Sequence, residues 1–248
     1  MFRVIECIWM QHDLRLVVLA ALVWILGSAA LFLLLKRSID CVEERRRSWL
    51  AVAAVAAGVG VWATHFIGML AYQGTMPLRF DPGLTAVSAI FAILCFWLAF
   101  LIAGRRFGIG RSMGAGIIAA GGVGAMHFTG MAAIIAPAII RYDWGMIAYA
   151  FAAVAISFWL AFTLFGQLVG VLRILVPSAF AVIGVVALHY TAMTATVLAP
   201  LPGFPLPVTT TDDGWLIIAI VAAAVGLTIL ALIGAFLCLL YTSPSPRD

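Results

Sequence analysis

A ten-residue phrase occurs three times along the chain, and its spacing constrains the fold more than any other feature. It reads Gly60-Val61-Trp62-Ala63-Thr64-His65-Phe66-Ile67-Gly68-Met69, then Gly122-Val123-Gly124-Ala125-Met126-His127-Phe128-Thr129-Gly130-Met131, then Gly184-Val185-Val186-Ala187-Leu188-His189-Tyr190-Thr191-Ala192-Met193. Successive histidines are 62 residues apart in both intervals. A fixed period of this kind marks one structural unit repeated along the chain. A second series runs in step with it: His12-Asp13, Phe80-Asp81 and Tyr142-Asp143. The last two aspartates are again 62 apart and the first two are 68 apart, an excess of six that a longer first connection absorbs.

The sequence between these marks is apolar. Hydrophobic residues make up 65% of the 248 and charged residues 10%, and mean hydropathy is +1.18. Seven apolar runs stand out: Leu14–Leu35, Trp49–Tyr72, Gly83–Ala103, Met113–Ala136, Trp144–Gly166, Ile174–Leu198 and Trp215–Tyr241. Each is roughly 20 residues or longer, enough for about 30 Å of hydrocarbon at 1.5 Å per residue. In lipid such segments are helices, because unpaired backbone groups are too costly there. The expected fold is all-α and polytopic: seven transmembrane helices, built as three helical hairpins plus a closing helix. Residues 10–241 form this membrane domain, and residues 242–248 form a short polar tail. Leu14–Leu35 is too long for a signal-peptide core and is read as a retained span. Pro200 to Asp213 carries four prolines and is read as an extended external loop.

Charge placement gives an expected orientation. Ten bases fall in the first, third and fifth connections and the tail, and four (Arg3, Arg15, Arg79, Arg141) fall on the other side. The ten-base side is expected to be cytoplasmic, with the N-terminus outside and the C-terminus inside, in the cell's inner (plasma) membrane. The bases therefore report on a lipid bilayer and not on nucleic acid. The four cysteines form no CxxC pair, so neither a zinc ribbon nor a disulfide framework is indicated. There is no Walker loop, Rossmann fingerprint or HExxH, and no nucleophile beside a base; no enzymatic activity is expected.

His and Met four apart lie on one helix face, one turn apart. The topology puts all three pairs in the outer half of the even-numbered spans, at one depth. Imidazole with thioether is a soft nitrogen–sulfur set that suits copper, Cu(I) above all, better than zinc, calcium or magnesium. The expected metal ligands are His65, Met69, His127, Met131, His189 and Met193, with Met126 as a further candidate. The alternatives are plain: a histidine that bonds neighbouring helices, and a methionine that fills space. Gly60, Gly122 and Gly184 are read as close-packing positions. Asp13, Asp81 and Asp143 are read as helix N-caps, with a second role as acceptors for the histidines' other nitrogens. Phe66, Phe128 and Tyr190 are read as filling space beside the site. His12 is read as a surface residue, with an extra-ligand role as the alternative.

Met126-His127-Phe128-Thr129-Gly130-Met131 and Leu188-His189-Tyr190-Thr191-Ala192-Met193 resemble the signature of the bacterial MHYT domain, a seven-span membrane unit carrying that motif three times. The resemblance covers residues 10 to 240. The first copy lacks the leading Met and the Thr, and the third has Leu before His. The resemblance implies a membrane sensory module that holds copper near the outer face, senses a diatomic gas (O2, CO or NO), and feeds a cytoplasmic cyclic-di-GMP or kinase domain. It carries the same His and Met residues over as ligands. Competing readings are a copper or small-molecule transporter, a haem protein ligated by two of the histidines, and a ligand-free scaffold.

Overall fold

The computed structural model describes residues 2–73, 78–136, 138–200 and 214–242. Its helices are α1 (Phe2–Gln11), α2 (Leu14–Asp40), α3 (Glu43–Ala71), α4 (Pro82–Ala103), α5 (Ile109–Ala132), α6 (Trp144–Gln167), α7 (Leu172–Thr194) and α8 (Gly214–Thr242). Four short strands accompany them: β1 (Arg79–Phe80), β2 (Ile134–Ile135), β3 (Ala138–Tyr142) and β4 (Thr196–Pro200). Among the described residues, seven helices, α2 to α8, are long and apolar enough to cross a membrane. The protein is a multi-pass membrane protein, all-α in its body.

The three hairpins are α2–α3, α4–α5 and α6–α7, which make the most extensive helix contacts in the chain. They close into a ring through α3 on α4, α5 on α6, and α7 back on α2, and α8 lies outside against α2 and α3. Two buried indoles stitch neighbouring hairpins: Trp62 Nε1 donates to the Thr85 carbonyl and Trp24 Nε1 to the Ala181 carbonyl, both at 3.0 Å. Without water to drive apolar burial, helices in lipid associate through close contact of small residues. The first glycine of each phrase serves this purpose. A Cβ on Gly60 would lie 2.9 Å from Trp24, one on Gly184 2.7 Å from Ser157, and one on Gly122 would run into Cys95. Each of these neighbours sits on the partner helix of the same hairpin, as the close-packing reading expects.

Each hairpin is sealed at one end by the same device. The amides of Asp13, Asp81 and Asp143 donate to the carbonyls of Ala71, Ala133 and Ala195, at 2.8, 2.8 and 2.9 Å. Around these bonds the chain pairs in antiparallel fashion: His12 with Tyr72, β1 with β2, and β3 with β4. Phe80 faces Ile134 and Tyr142 faces Thr196, so the three pairings share one register. Sequence reading ran two helices too far here, to Ala136 and Leu198. The structure ends α5 at Ala132 and α7 at Thr194, and Ile134, Ile135, Thr196 and Val197 enter strands instead. β-Branched residues favour a pleated pair, and Pro137 and Pro200 bar a helical continuation. The three aspartates are N-caps: Asp13 Oδ1 accepts from the Arg15 amide, Asp81 Oδ1 from Leu84, and Asp143 Oδ1 from Gly145 and Met146.

α1 was not expected. It is too short to span, and it buries Cys7 while Ile5, Trp9 and Met10 stay exposed. The proposed external loop and the polar tail lie outside the described residues, except Pro200, which ends β4, and Thr242, which ends α8. At the basic end, opposite the ribbons, the Arg105 guanidinium donates to Glu43 Oε2 at 2.7 and 3.0 Å and to the Ile39 and Cys41 carbonyls, tying the first two hairpin turns together. Above that end the interior is filled by Phe32, Phe100 and Phe162, one from the first helix of each hairpin, all fully buried and meeting across 5.9 and 6.4 Å.

Candidate metal centre

The second helix of each hairpin, α3, α5 and α7, carries the phrase and turns its histidine inward. His65, His127 and His189 are 2%, 1% and 6% exposed. Their ring centres lie 4.8, 5.3 and 5.6 Å apart. The Nδ1 of His65 is 3.2 Å from that of His127 and 3.3 Å from that of His189. One ligand atom from each ring falls within 4.8 Å of the others.

Hydrogen bonding alone does not satisfy this triangle. A ring nitrogen is either a donor or an acceptor, with one in-plane direction to offer. His65 Nδ1 faces two partners and serves one. A cation accepting one lone pair from each ring would satisfy all three. Nitrogens held about 2.0–2.1 Å from one ion in a trigonal plane stand roughly 3.5 Å apart, close to the separations seen here. The residue types suit copper: neutral imidazoles, with a buried methionine one turn along each helix. They suit the monovalent ion best, since no carboxylate bonds these rings and the cost of burying an ion rises as the square of its charge.

The Nε2 atoms of all three rings are buried and have no hydrogen-bond partner. None of the three aspartates supplies one; the Oδ1 of each bonds the N-terminus of its own helix. Space for the rings comes from a residue whose role sequence reading left unassigned, the small residue three after each histidine. A Cβ on Gly130 would stand 2.6 Å from His65 Nε2, and one on Gly68 would stand 2.7 Å from His189 Nε2. The signal was visible in the phrase as Gly68, Gly130 and Ala192. Gly130→Ala should push the His65 ring off the triangle, because Phe66 blocks retreat at 3.2 Å from the new methyl. The expected outcome is a fall in Cu(I) affinity of about 10- to 100-fold, the range seen when a ligand's supporting contacts are lost. Chelator competition measures it, with the thermal midpoint little changed.

Met69, Met131, Met193 and Met126 are all buried in the same three helices. Phe66, Phe128 and Tyr190 pack edge-on against their own histidines at 4.8, 5.0 and 4.9 Å. Each is covered in turn by the residue preceding an aspartate of another hairpin: Phe80 on Phe66 at 5.4 Å, Tyr142 on Phe128 at 5.5 Å, His12 on Tyr190 at 5.2 Å. His12 is thus not a surface residue. It is 3% exposed, and its Nδ1 donates to the Cys7 carbonyl at 2.9 Å. Burial pushes its imidazole below the ordinary histidine range, against the opposing pull of that carbonyl. The clue lay in the register of His12, Phe80 and Tyr142 before their aspartates, which makes all three one structural position.

Residues 58–116 and 121–177 match the bacterial signalling protein N-terminal repeat, MHYT. The chain belongs to the MHYT family. Two consecutive repeats are matched, and the third phrase, at His189, follows the second stretch. An uncharacterized signaling protein of Caulobacter vibrioides is 29% identical over 219 residues, 88% of this chain and 27% of that protein. The bifunctional diguanylate cyclase/cyclic di-GMP phosphodiesterase MucR of Pseudomonas aeruginosa is 33% identical over 75% of the chain and 28% of its own length. Cyclic di-GMP phosphodiesterase NbdA of the same organism is 33% identical over 73% and 25%. The chain spans about a quarter of the length of these curated relatives. No solved structure matches it. An MHYT unit of this kind is an integral-membrane sensory or signalling module.

Proposed function

We propose that this MHYT unit senses a diatomic gas, O2, CO or NO, through copper held by His65, His127 and His189. Met69, Met131 and Met193 are the thioether donors, with Met126 in reserve. The single observation that carries the reading is the buried cluster of three imidazoles, with His65 Nδ1 3.2 and 3.3 Å from the other two Nδ1 atoms, an arrangement that hydrogen bonding alone does not satisfy. Three nitrogens on one ion leave a coordination position for a small apolar gas, which crosses lipid freely. A change in coordination would shift α3, α5 and α7 against one another. The Arg105–Glu43 clasp, at the expected cytoplasmic end, lies where such a shift reaches an output. The N-terminus would then lie outside and the C-terminus in the cytoplasm. The relatives named for cyclic di-GMP turnover make that chemistry the proposed output in the whole protein. The module itself is proposed to have no enzymatic activity.

Transport is the weaker reading. A conduit needs ligands at successive depths, whereas the three histidines cluster at one level and buried phenylalanines fill the interior beneath them. Metal analysis of protein purified from membranes tests the proposal: one copper per chain, removable by a Cu(I) chelator, with a CO-dependent spectral change. Metal-free protein that takes up no added Cu(I) would refute it, and a Soret band would replace copper with haem.

A further inference from the structure

The three hairpins repeat one another at the ribbon end except in one seat. Phe80 and Tyr142 cover the aromatic residues beside His65 and His127, and the seat over Tyr190 holds His12. We propose that His12 is the handover ligand through which a soft monovalent cation, Cu(I) or Ag(I), passes from a cavity at the ribbon end to the three-histidine cluster. This rests on the copper reading above.

The ring is held as such a ligand needs to be. A carbonyl only accepts, so the bond from Nδ1 to the Cys7 carbonyl puts the proton on Nδ1. In the neutral ring Nε2 then carries a lone pair, and that atom is buried with no partner. Anchoring of one nitrogen by a backbone carbonyl is the usual arrangement of a histidine that binds metal through the other. The ring centre is 6.4 Å from that of His189. An ion about 2 Å from a nitrogen of each ring bridges that gap once the two nitrogens are turned toward one another.

At the ribbon end, walled by residues that adjoin His12, lies a cavity of about 630 Å³. Its walls include Arg3, Glu6, Cys7, Gln11, Tyr72 and Met193. Three of these surround His12 directly: Cys7 holds its Nδ1, Gln11 precedes it, and Tyr72 pairs with it across the bridge. Met193 belongs to the third phrase and lies one helical turn from His189 on α7. Arg3 offsets the charge of Glu6 there, so what the wall offers a soft cation is its sulfur, the Cys7 thiol and the Met193 thioether. Phe80 and Tyr142 offer no lone pair of this kind, so the other two seats are closed to metal. Each step exchanges one coordination bond for another, with no electron transferred. If the Cys7 thiol binds, its proton leaves to water in the cavity.

The test is the time course of Cu(I) uptake by the full chain, stripped of metal and supplied from a buffered Cu(I) chelator. His12→Phe and His12→Tyr are the informative variants, because the sister seats already hold those residues and the ring contact survives. Both are expected to reach the wild-type copper content at a rate reduced at least tenfold. Uptake at the wild-type rate in either folded variant would overturn the handover role. So would a lower final copper content, which would make His12 a resident ligand. Failure of the wild-type chain to take up copper would instead remove the copper reading itself, and this inference with it.

Discussion

A chain with His65, His127 and His189 all replaced by leucine is expected to hold no copper and to unfold no earlier than metal-free wild type. The first outcome follows from the donors: with the imidazoles gone, the remaining thioethers are weak ligands with no nitrogen to anchor the ion. The second follows from the orphaned nitrogens. A buried polar atom without a partner costs about 1–3 kcal/mol, and replacing such groups with apolar ones of similar size is close to neutral or stabilising. The wild-type centre carries three such Nε2 atoms. Leucine is the right probe because alanine would open a cavity with its own cost. Loading should reverse the order, since ligand at a hundredfold excess over its Kd stabilises the native state by about 2.7 kcal/mol. Thermal unfolding with and without a Cu(I) chelator, alongside metal analysis, reads both effects. A leucine variant that melts far below metal-free wild type would mean that the histidines bond helices together. Copper retained by that variant would dismiss the site.

Gly116→Val is expected to disrupt the bundle strongly. A Cβ there would lie 2.6 Å from the Trp159 amide nitrogen and 2.9 Å from its Cα. These are backbone atoms of α6, so relief requires the two helices to part along their length. Overfilling a close-packed interior costs about 1–3 kcal/mol and sometimes more, and a rigid backbone contact places this case at the upper end. Roughly a hundredfold fall in the folded population is the expected result, read by unfolding in mixed micelles. Gly121→Val, on the same helix with open space where its Cβ would go, should be nearly silent. Equal effects at the two positions would show that helix propensity and not the α5–α6 contact was being measured.

Much of the molecule was legible before any coordinates. The period of 62, the seven apolar runs and the His–Met offset follow from local rules: helices in lipid need length and apolarity, and residues four apart share a face. The aspartate series was legible too, and its N-cap role needs only neighbouring amides. The helix ends at Ala132 and Thr194 were not, because Ile134, Ile135, Thr196 and Val197 read as apolar span until a pairing partner turns them into strand.

The sequence by itself determined the membrane class, the threefold unit and the set of nitrogen and sulfur side chains, since each depends on residues adjacent along the chain or one turn apart. Only the tertiary structure decided what those side chains meet. Closure of the ring by α7 against α2 brings three distant imidazoles within one ion's reach. It also leaves their second nitrogens without the aspartates, and moves His12 from the surface into the seat over Tyr190. Contacts between residues 62 and 124 apart arise from how hairpins close on one another, and no local pattern encodes that closure.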